Sequence, residues 1–204
     1  MEQARHARNV AIWIFDDVEP LDFAGPFEVF ITGSNRGRDF NVYTIAEHDS
    51  PVKALGGLSI NPTYPLAACP KPDILIVPGG LGIRKEMHNE TIIKWIKQLS
   101  KEVEILLSVC TGALVLAQAN LLDGLQVTTN RSAIHELQEL VPASTKIIKE
   151  ARFIDNGTIV LSAGVSAGID ASLYVVGKLL GKERAIKAAN IMEYDWRGEN
   201  QETS

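Results

Sequence analysis

One cysteine lies where an apolar strand is predicted to run into a helix. The segment EILLSVC (104–110) is followed directly by TGALVLAQANLL (111–122), which puts Cys110 at the carboxyl end of the strand. A thiol at such a bend is presented to the crevice as a nucleophile elbow. Because the helix dipole favours a thiolate, the position predicts an exposed Cys110 with a lowered pKa. The alternative is a small buried hydrophobic residue, the commonest role of a free cysteine.

Backbone amides around this bend are candidate anion-binding groups. The turn is expected to leave the N–H groups of Thr111 and Gly112 free to stabilise a negative charge. In ILIVPGG, Gly79 and Gly80 follow another predicted strand and allow the backbone to turn with its amides exposed. A Gly-Gly pair after a strand is more often only a turn. Neighbouring parallel strands would nevertheless bring both loops together, so we predict that Gly79, Gly80 and Gly112 bind substrate.

An acidic segment after the first predicted strand supplies a candidate proton donor. In DDVEPLDFAGPFEVF (16–30), Asp22 lies between the apolar Leu21 and Phe23, just before an expected Gly-Pro helix start. Partial burial at this position would raise the pKa of the carboxyl group. A protonated carboxyl beside a sulfur can pass a proton to a substrate. Aspartate is also a favoured helix N-cap, so the spacing alone leaves cap and catalytic acid equally open.

The elements that must position these groups alternate as in a doubly wound α/β fold. Nearly continuous apolar runs are typical of parallel strands buried on both faces, namely NVAIWIF, FNVYTIA, DILIVPGG and EILLSVC. A strand is predicted at 125–130 and a helix that ends before Pro142, and RFIDNGTIVLSAG predicts two strands joined by an Asp-Asn-Gly turn. Helices are predicted from Gly168 to a stop at Gly181 and over 182–194. We expect a mostly parallel sheet with helices on both faces.

Composition and charge narrow the class of protein. With 204 residues, 46% hydrophobic and 22% charged, we expect a single domain over 1–204, with frayed ends at 1–8 and 197–204. The net charge of −5 argues against a nucleic-acid partner. No apolar stretch predicts a signal peptide or a membrane span. Two cysteines, Cys69 and Cys110, suit a reducing cytoplasm, and the four histidines lack metal-ligand spacing, so no metal is expected.

Several segments together resemble the ThiJ/PfpI superfamily, in the class I glutamine amidotransferase-like, flavodoxin-like fold, and within it the isonitrile hydratase branch. The segments are PLDFAGPFEVF, ILIVPGG, SVCTGALVLAQANLLDG, VTTN and AGVSAGIDASL, so that the resemblance covers about residues 9–194. It implies that Asp22, Cys110 and Thr111 are catalytic, which favours the acid over the cap at Asp22. It also implies a homodimer that requires no metal or organic cofactor.

One position departs from many members of this superfamily. They carry a histidine after TT, where this chain has Asn130, so that an ordinary Cys–His pair is absent. Protease or amidase chemistry, which needs such a base, is therefore in doubt. His135, on the following predicted helix, is expected at the surface. Asn130 is a candidate substrate-binding residue, with a turn role as the alternative.

The residue set and the resemblance favour an isonitrile hydratase-like enzyme. Such an enzyme adds water to an isocyanide to give an N-substituted formamide, with Cys110 attacking the terminal carbon and Asp22 supplying the proton. One alternative is a glyoxalase-type enzyme acting on reactive aldehydes. Another is a redox- or ligand-sensing protein in which Cys110 is oxidised without turnover. For the hydratase and for the glyoxalase-type enzyme alike, the expected partner is a small electrophilic substrate.

Overall fold

The chain folds around short strands separated by helices. The computed structural model describes residues 7–196. Its strands are β1 (Arg8–Trp13), β2 (Phe40–Ala46), β3 (Val52–Lys53), β4 (Ser59–Ile60), β5 (Tyr64–Pro65), β6 (Ile74–Val77), β7 (Ile105–Ser108), β8 (Gln126–Val127), β9 (Lys146–Ile147), β10 (Phe153–Asp155) and β11 (Ile159–Ser162). Its helices are α1 (Pro20–Gly33), α2 (Ile83–Glu86), α3 (Glu90–Leu99), α4 (Gly112–Gln118), α5 (Ile134–Leu140), α6 (Ala167–Leu180) and α7 (Lys182–Ile191).

A seven-stranded sheet in the order β10-β11-β7-β6-β1-β2-β5 forms the centre. Neighbouring strands run parallel except β10, which pairs antiparallel with β11 through the predicted Asp-Asn-Gly turn. Every residue of β6 and β7 is buried, because helices cover both faces of a doubly wound sheet. The predicted fold class is confirmed.

Two helical layers enclose the sheet. Helices α1, α6 and α7 pack against one another, and α2, α3 and α5 each pack against α4. The hydrophobic core includes the fully buried side chains of Trp13, Phe30 and Phe153. Within residues 7–196, no helix combines the length and the apolar character needed to cross a bilayer.

The start of α1 differs from the prediction in a way that matters for the site. The helix begins at Pro20, and Pro26 lies inside it rather than at its start. Proline suits the first helical position, because an N–H group there would have no acceptor within the helix. Asp22 is consequently in the first helical turn, whereas Glu19 is the N-cap residue. The alternative that Asp22 caps this helix is wrong.

Other boundaries also differ from the predictions. The strand expected at 125–130 is reduced to β8, which pairs with β9 outside the main sheet. Strands β3, β4 and β5 were not predicted, because two-residue strands are defined by their pairing and carry no periodic pattern. Arg8, expected in a frayed end, belongs to β1 and pairs with Glu104 at 2.6 Å. Residues 1–6 and 197–204 lie outside the described residues.

Candidate active site

Cys110 occupies a sharp turn between β7 and α4. The N–H of Gly112 donates to the carbonyl of Val109 at 2.9 Å, which closes the turn around Cys110. Cys110 has a φ of 55°, a left-handed conformation that few non-glycine residues adopt. Its backbone is held on both sides, because its N–H donates to Ala163 at 3.2 Å and its carbonyl accepts from the Thr129 hydroxyl at 2.8 Å. The geometry is that of the predicted nucleophile elbow.

Glycines allow the loops of the site to approach closely. A Cβ on Gly112 would lie 2.1 Å from the carbonyl oxygen of Val77, at the end of β6. A Cβ on Gly79 would lie 2.4 Å from the Thr111 hydroxyl and 3.0 Å from Oδ2 of Asp22. Any side chain at either glycine would therefore force the elbow away from the neighbouring loop.

The Asp22 carboxyl lies in the site and is fully buried, with 0% exposure. Its Oδ2 accepts the N–H of Gly79 at 3.0 Å, and its Oδ1 has no hydrogen-bond partner among residues 7–196. Burial raises the pKa of Asp22 to about 7, although the Gly79 N–H and the Cys110 thiol partly oppose this shift. The predicted raised pKa is confirmed, and the carboxyl can both give and accept a proton near neutral pH.

The exposure and the pKa of the Cys110 thiol differ from the prediction. Cys110 is only 5% exposed, and burial together with the negative charge of Asp22 raises its pKa to about 11. The expected exposed thiolate of low pKa is therefore wrong, because loss of water and a neighbouring carboxylate outweigh the favourable end of α4. At neutral pH the sulfur carries its proton.

Polar donors nevertheless surround the sulfur. Asn130 donates from Nδ2 to Sγ at 3.3 Å, and its Oδ1 accepts from the N–H of Ser132 at 3.0 Å. The backbone N–H groups of Val165 and Thr111 also favour the thiolate and lower the pKa of Cys110, against the larger effect of burial. A negative charge that develops on the sulfur is thus met by amide donors.

Three of the four amides expected to be free are already engaged. The N–H of Gly79 donates to Asp22, and that of Gly80 donates to the hydroxyl of Thr111 at 3.0 Å. Gly112 donates to the elbow itself. The expectation of free amides is therefore wrong for the three glycines, whose N–H groups hold the loops of the site in place. It holds for Thr111, whose N–H favours the thiolate. A role of these glycines and of Asn130 in binding substrate stays a prediction.

Three groups that touch Cys110 were missed by the sequence reasoning, namely Thr129, Ala163 and Val165. Val165 has a φ of 38°, uncommon for a β-branched residue. The segment AGVSAG (163–168) directly follows β11, which neighbours β7, so its position in the sheet order was the available signal.

Other singled-out residues take no part in the described contacts of the sulfur. His135 is exposed and faces Glu139, as expected for a surface residue. Cys69 is partly buried and packs against the core. Tyr194 and Trp196 also pack against the core. Within residues 7–196, no group of three or more histidine, cysteine, aspartate or glutamate side chains is arranged to hold a metal ion.

A doubly wound sheet with a cysteine elbow and a buried carboxyl beside it defines an α/β protein of the ThiJ/PfpI type. The chain belongs to the DJ-1/PfpI family, which it matches over residues 8–178. The predicted resemblance is confirmed at this level.

Individual relatives have different activities. The chain is 31% identical to isonitrile hydratase of Pseudomonas putida over 188 residues, which cover 92% of this chain and 79% of that protein. It is 28% identical to the HTH-type transcriptional regulator CdhR of Pseudomonas aeruginosa over 84% of this chain but only 48% of the regulator. A crystal structure of a ThiJ/PfpI family protein from Pseudomonas syringae is similar with a TM-score of 0.84 and 26% identity, covering 98% of this chain and 81% of that one. Drosophila melanogaster DJ-1beta shares the fold, with a TM-score of 0.81 at 18% identity, covering 93% of this chain and all of that one.

Proposed function

We propose that this protein is a cysteine-dependent enzyme that hydrates an isocyanide to an N-substituted formamide. The observation that carries the proposal is the Asp22 carboxyl, with a pKa of about 7, beside the Cys110 thiol. The similarity to isonitrile hydratase supports the same substrate class. Asn130 lies on the sulfur where a histidine base would serve a protease, which favours chemistry driven by a carboxyl group.

The first step forms a carbon–sulfur bond. The ionised form of Asp22 accepts the thiol proton as Sγ of Cys110 attacks the terminal carbon of the isocyanide. The protonated Asp22 then gives this proton to the same carbon, which yields a thioimidate, S–CH=N–R. Asn130 and the N–H of Val165 stabilise the negative charge on the sulfur during the attack.

The second step releases the product. Asp22, ionised again, takes a proton from water while the water oxygen bonds to the thioimidate carbon, and it then gives this proton to the nitrogen. The carbon–sulfur bond then breaks as the hydroxyl group becomes the formamide carbonyl, and the hydroxyl proton passes to the sulfur. One water molecule is consumed for each isocyanide, and the two reaction steps need no redox partner.

The shape of the site suits a slender electrophile. Because Cys110 is only 5% exposed, a group that reaches the sulfur must be narrow. The linear N≡C end of an isocyanide meets this requirement better than a peptide carbonyl flanked by two chains. Thr111 is held by Gly80 through its hydroxyl, so its role in the proposal is to fix the loop beside Asp22 and to orient water.

The test is the consumption of an aliphatic isocyanide by purified protein, with the formamide detected by NMR. Cys110→Ser and Asp22→Asn should each abolish product formation, whereas Cys69→Ser should leave it unchanged. Unconsumed isocyanide in the presence of a demonstrably reduced Cys110 would refute this substrate class. Conversion of methylglyoxal to lactate, lost in Asp22→Asn, would instead establish the glyoxalase-type alternative.

The redox-sensing alternative is less well supported by the site. Peroxide sensors rely on an accessible thiolate, whereas the pKa of Cys110 is raised and its side chain is buried. The homodimer and the cytoplasmic location remain predictions. Light scattering coupled to gel filtration tests the dimer.

A further inference from the structure

A second polar cluster lies next to the elbow, at the end of β11. It is built around Asp170, which is in the first turn of α6 and is only 1% exposed. Oδ2 of Asp170 accepts from Nε of Arg152 and from the hydroxyl of Tyr194, the latter at 3.1 Å. Its Oδ1 has no hydrogen-bond partner within residues 7–196. A buried carboxylate of this kind depends on its guanidinium partner.

Arg152 connects this carboxylate to the loop before α6. Its Nη2 donates to the hydroxyl of Ser166 at 3.2 Å, and its carbonyl accepts the N–H of Ala163 at 2.9 Å. The planar guanidinium can hold the carboxylate and the hydroxyl at once, which a lysine ammonium group does less well. Arg152 therefore contacts both ends of residues 163–166.

Residues 163–166 in turn contact the elbow. Ala163 accepts the N–H of Cys110, and a Cβ on Gly164 would lie 2.3 Å from Nδ2 of Asn130. Val165 follows with its φ of 38°. A β-branched residue in this region is strained, and such a conformation persists only where the surrounding structure holds it. Two backbone bonds of the turn into α6 hold this segment, since the N–H of Ala167 donates to Gly164 and that of Gly168 to Val165, both at 3.3 Å. The side chain of Arg152 adds its bond to Ser166.

The geometry points to Arg152 as a positioning residue that fixes residues 163–166 against the sulfur of Cys110. It acts through Ser166 and Asp170 and keeps the N–H of Val165 aimed at Sγ. When this hold is weakened, Val165 relaxes toward an ordinary conformation and the sulfur loses one of its amide donors. The thiolate is then harder to form.

This inference shares with the proposed function only the assignment of Cys110 as the reacting group. It concerns the reactivity of the sulfur and applies to whichever electrophile the enzyme uses. A test with iodoacetamide, which forms a carbon–sulfur bond and releases iodide, is therefore independent of the isocyanide assay.

The experiment measures the rate of Cys110 alkylation against pH in a Cys69→Ser background, in which Cys110 is the only thiol. Asp22 is the titratable group that faces the sulfur, so the profile is followed on both sides of pH 7. Arg152→Lys keeps a positive charge beside Asp170 but loses the second nitrogen, Nη2, that donates to Ser166. We expect the alkylation profile to move to higher pH, with a rate at fixed pH about three- to tenfold lower.

Two further variants make the result specific. Ser166→Ala leaves the Arg152–Asp170 pair intact and should shift the profile in the same direction by a smaller amount, which keeps the test informative if Arg152→Lys fails to fold. Arg184→Lys is the control. Arg184 is also paired with an aspartate, Asp39 at 2.6 Å, but it lies near the opposite ends of the strands, so this variant should leave the profile unchanged. Unchanged profiles in both loop variants, or a shift to lower pH, would overturn the inference.

Discussion

Replacing Asp22 by asparagine should stabilise the fold above neutral pH while it removes activity. The pKa of Asp22 is 3.8 in the unfolded reference and about 7 in the folded protein, because burial disfavours the charged form. The folded chain therefore binds this proton more tightly, and ionisation of the carboxyl costs stability as pH rises from about 4 to about 7. A shift of this size corresponds to about 4 kcal/mol above neutral pH.

The change with pH is the quantity to measure, since an asparagine also places a new amide in the site at a cost that does not depend on pH. Linkage predicts that the advantage of Asp22→Asn over the parent grows by about 2–3 kcal/mol between pH 5 and pH 8. Urea unfolding at the two pH values gives this difference directly. Asp16→Asn, which alters an exposed carboxyl in the same segment, controls for the loss of a negative charge.

A difference between Asp22→Asn and the parent that is the same at both pH values would refute the buried, protonatable carboxyl. The stabilised variant should also fail to convert isocyanide. The loss is expected to be at least about 100-fold, the usual contribution of a positioned acid or base.

Other consequences can be tested together. The rate of isocyanide hydration should be bell-shaped in pH, rising as Asp22 ionises near 7 and falling as Cys110 loses its proton near 11, which a pH–rate profile checks. Asn130→Leu removes the donor to Sγ and should slow alkylation at pH 8 about tenfold, whereas Asn130→Asp, which adds a negative charge, should slow it further. Gly112→Ala should destabilise the fold by more than about 2 kcal/mol, because its Cβ would lie 2.1 Å from a backbone oxygen, as thermal unfolding can show. Gly124→Ala is the matched control, since a Cβ there meets nothing within 4 Å and the remaining cost is that of its φ of 71°, about 1 kcal/mol.

The position of the two proposed reacting groups could be predicted from the sequence because it follows from chain direction. Cys110 and Asp22 both come after strands of a parallel sheet, β7 and β1, and the carboxyl ends of such strands lie at one edge. The apolar runs were long and unbroken enough to identify those strands. Fold and elbow therefore required only local patterns and a sheet rule, whereas the choice of Asp22 as an acid rather than a helix cap also needed the family resemblance.

The protonation state of the thiol could not be predicted in the same way. The N-terminal end of α4 favours the thiolate. Two effects that depend on the whole fold oppose it, namely the exclusion of water and the closeness of Asp22. The Val165 amide was also out of reach, because its direction depends on a φ of 38° that local preferences disfavour. Short strands such as β3 carry too few residues to show a pattern.

The outermost strands limit how two copies of this chain can associate. On one side β5 has two residues and ends in Pro65, which has no amide hydrogen to offer, and on the other β10 has three residues. Neither strand provides a ladder long enough for a neighbouring molecule to extend into a shared, intermolecular β-sheet. If two copies associate, we therefore expect side chains of helices and loops, and not backbone pairing at the edges of the central sheet, to hold them together.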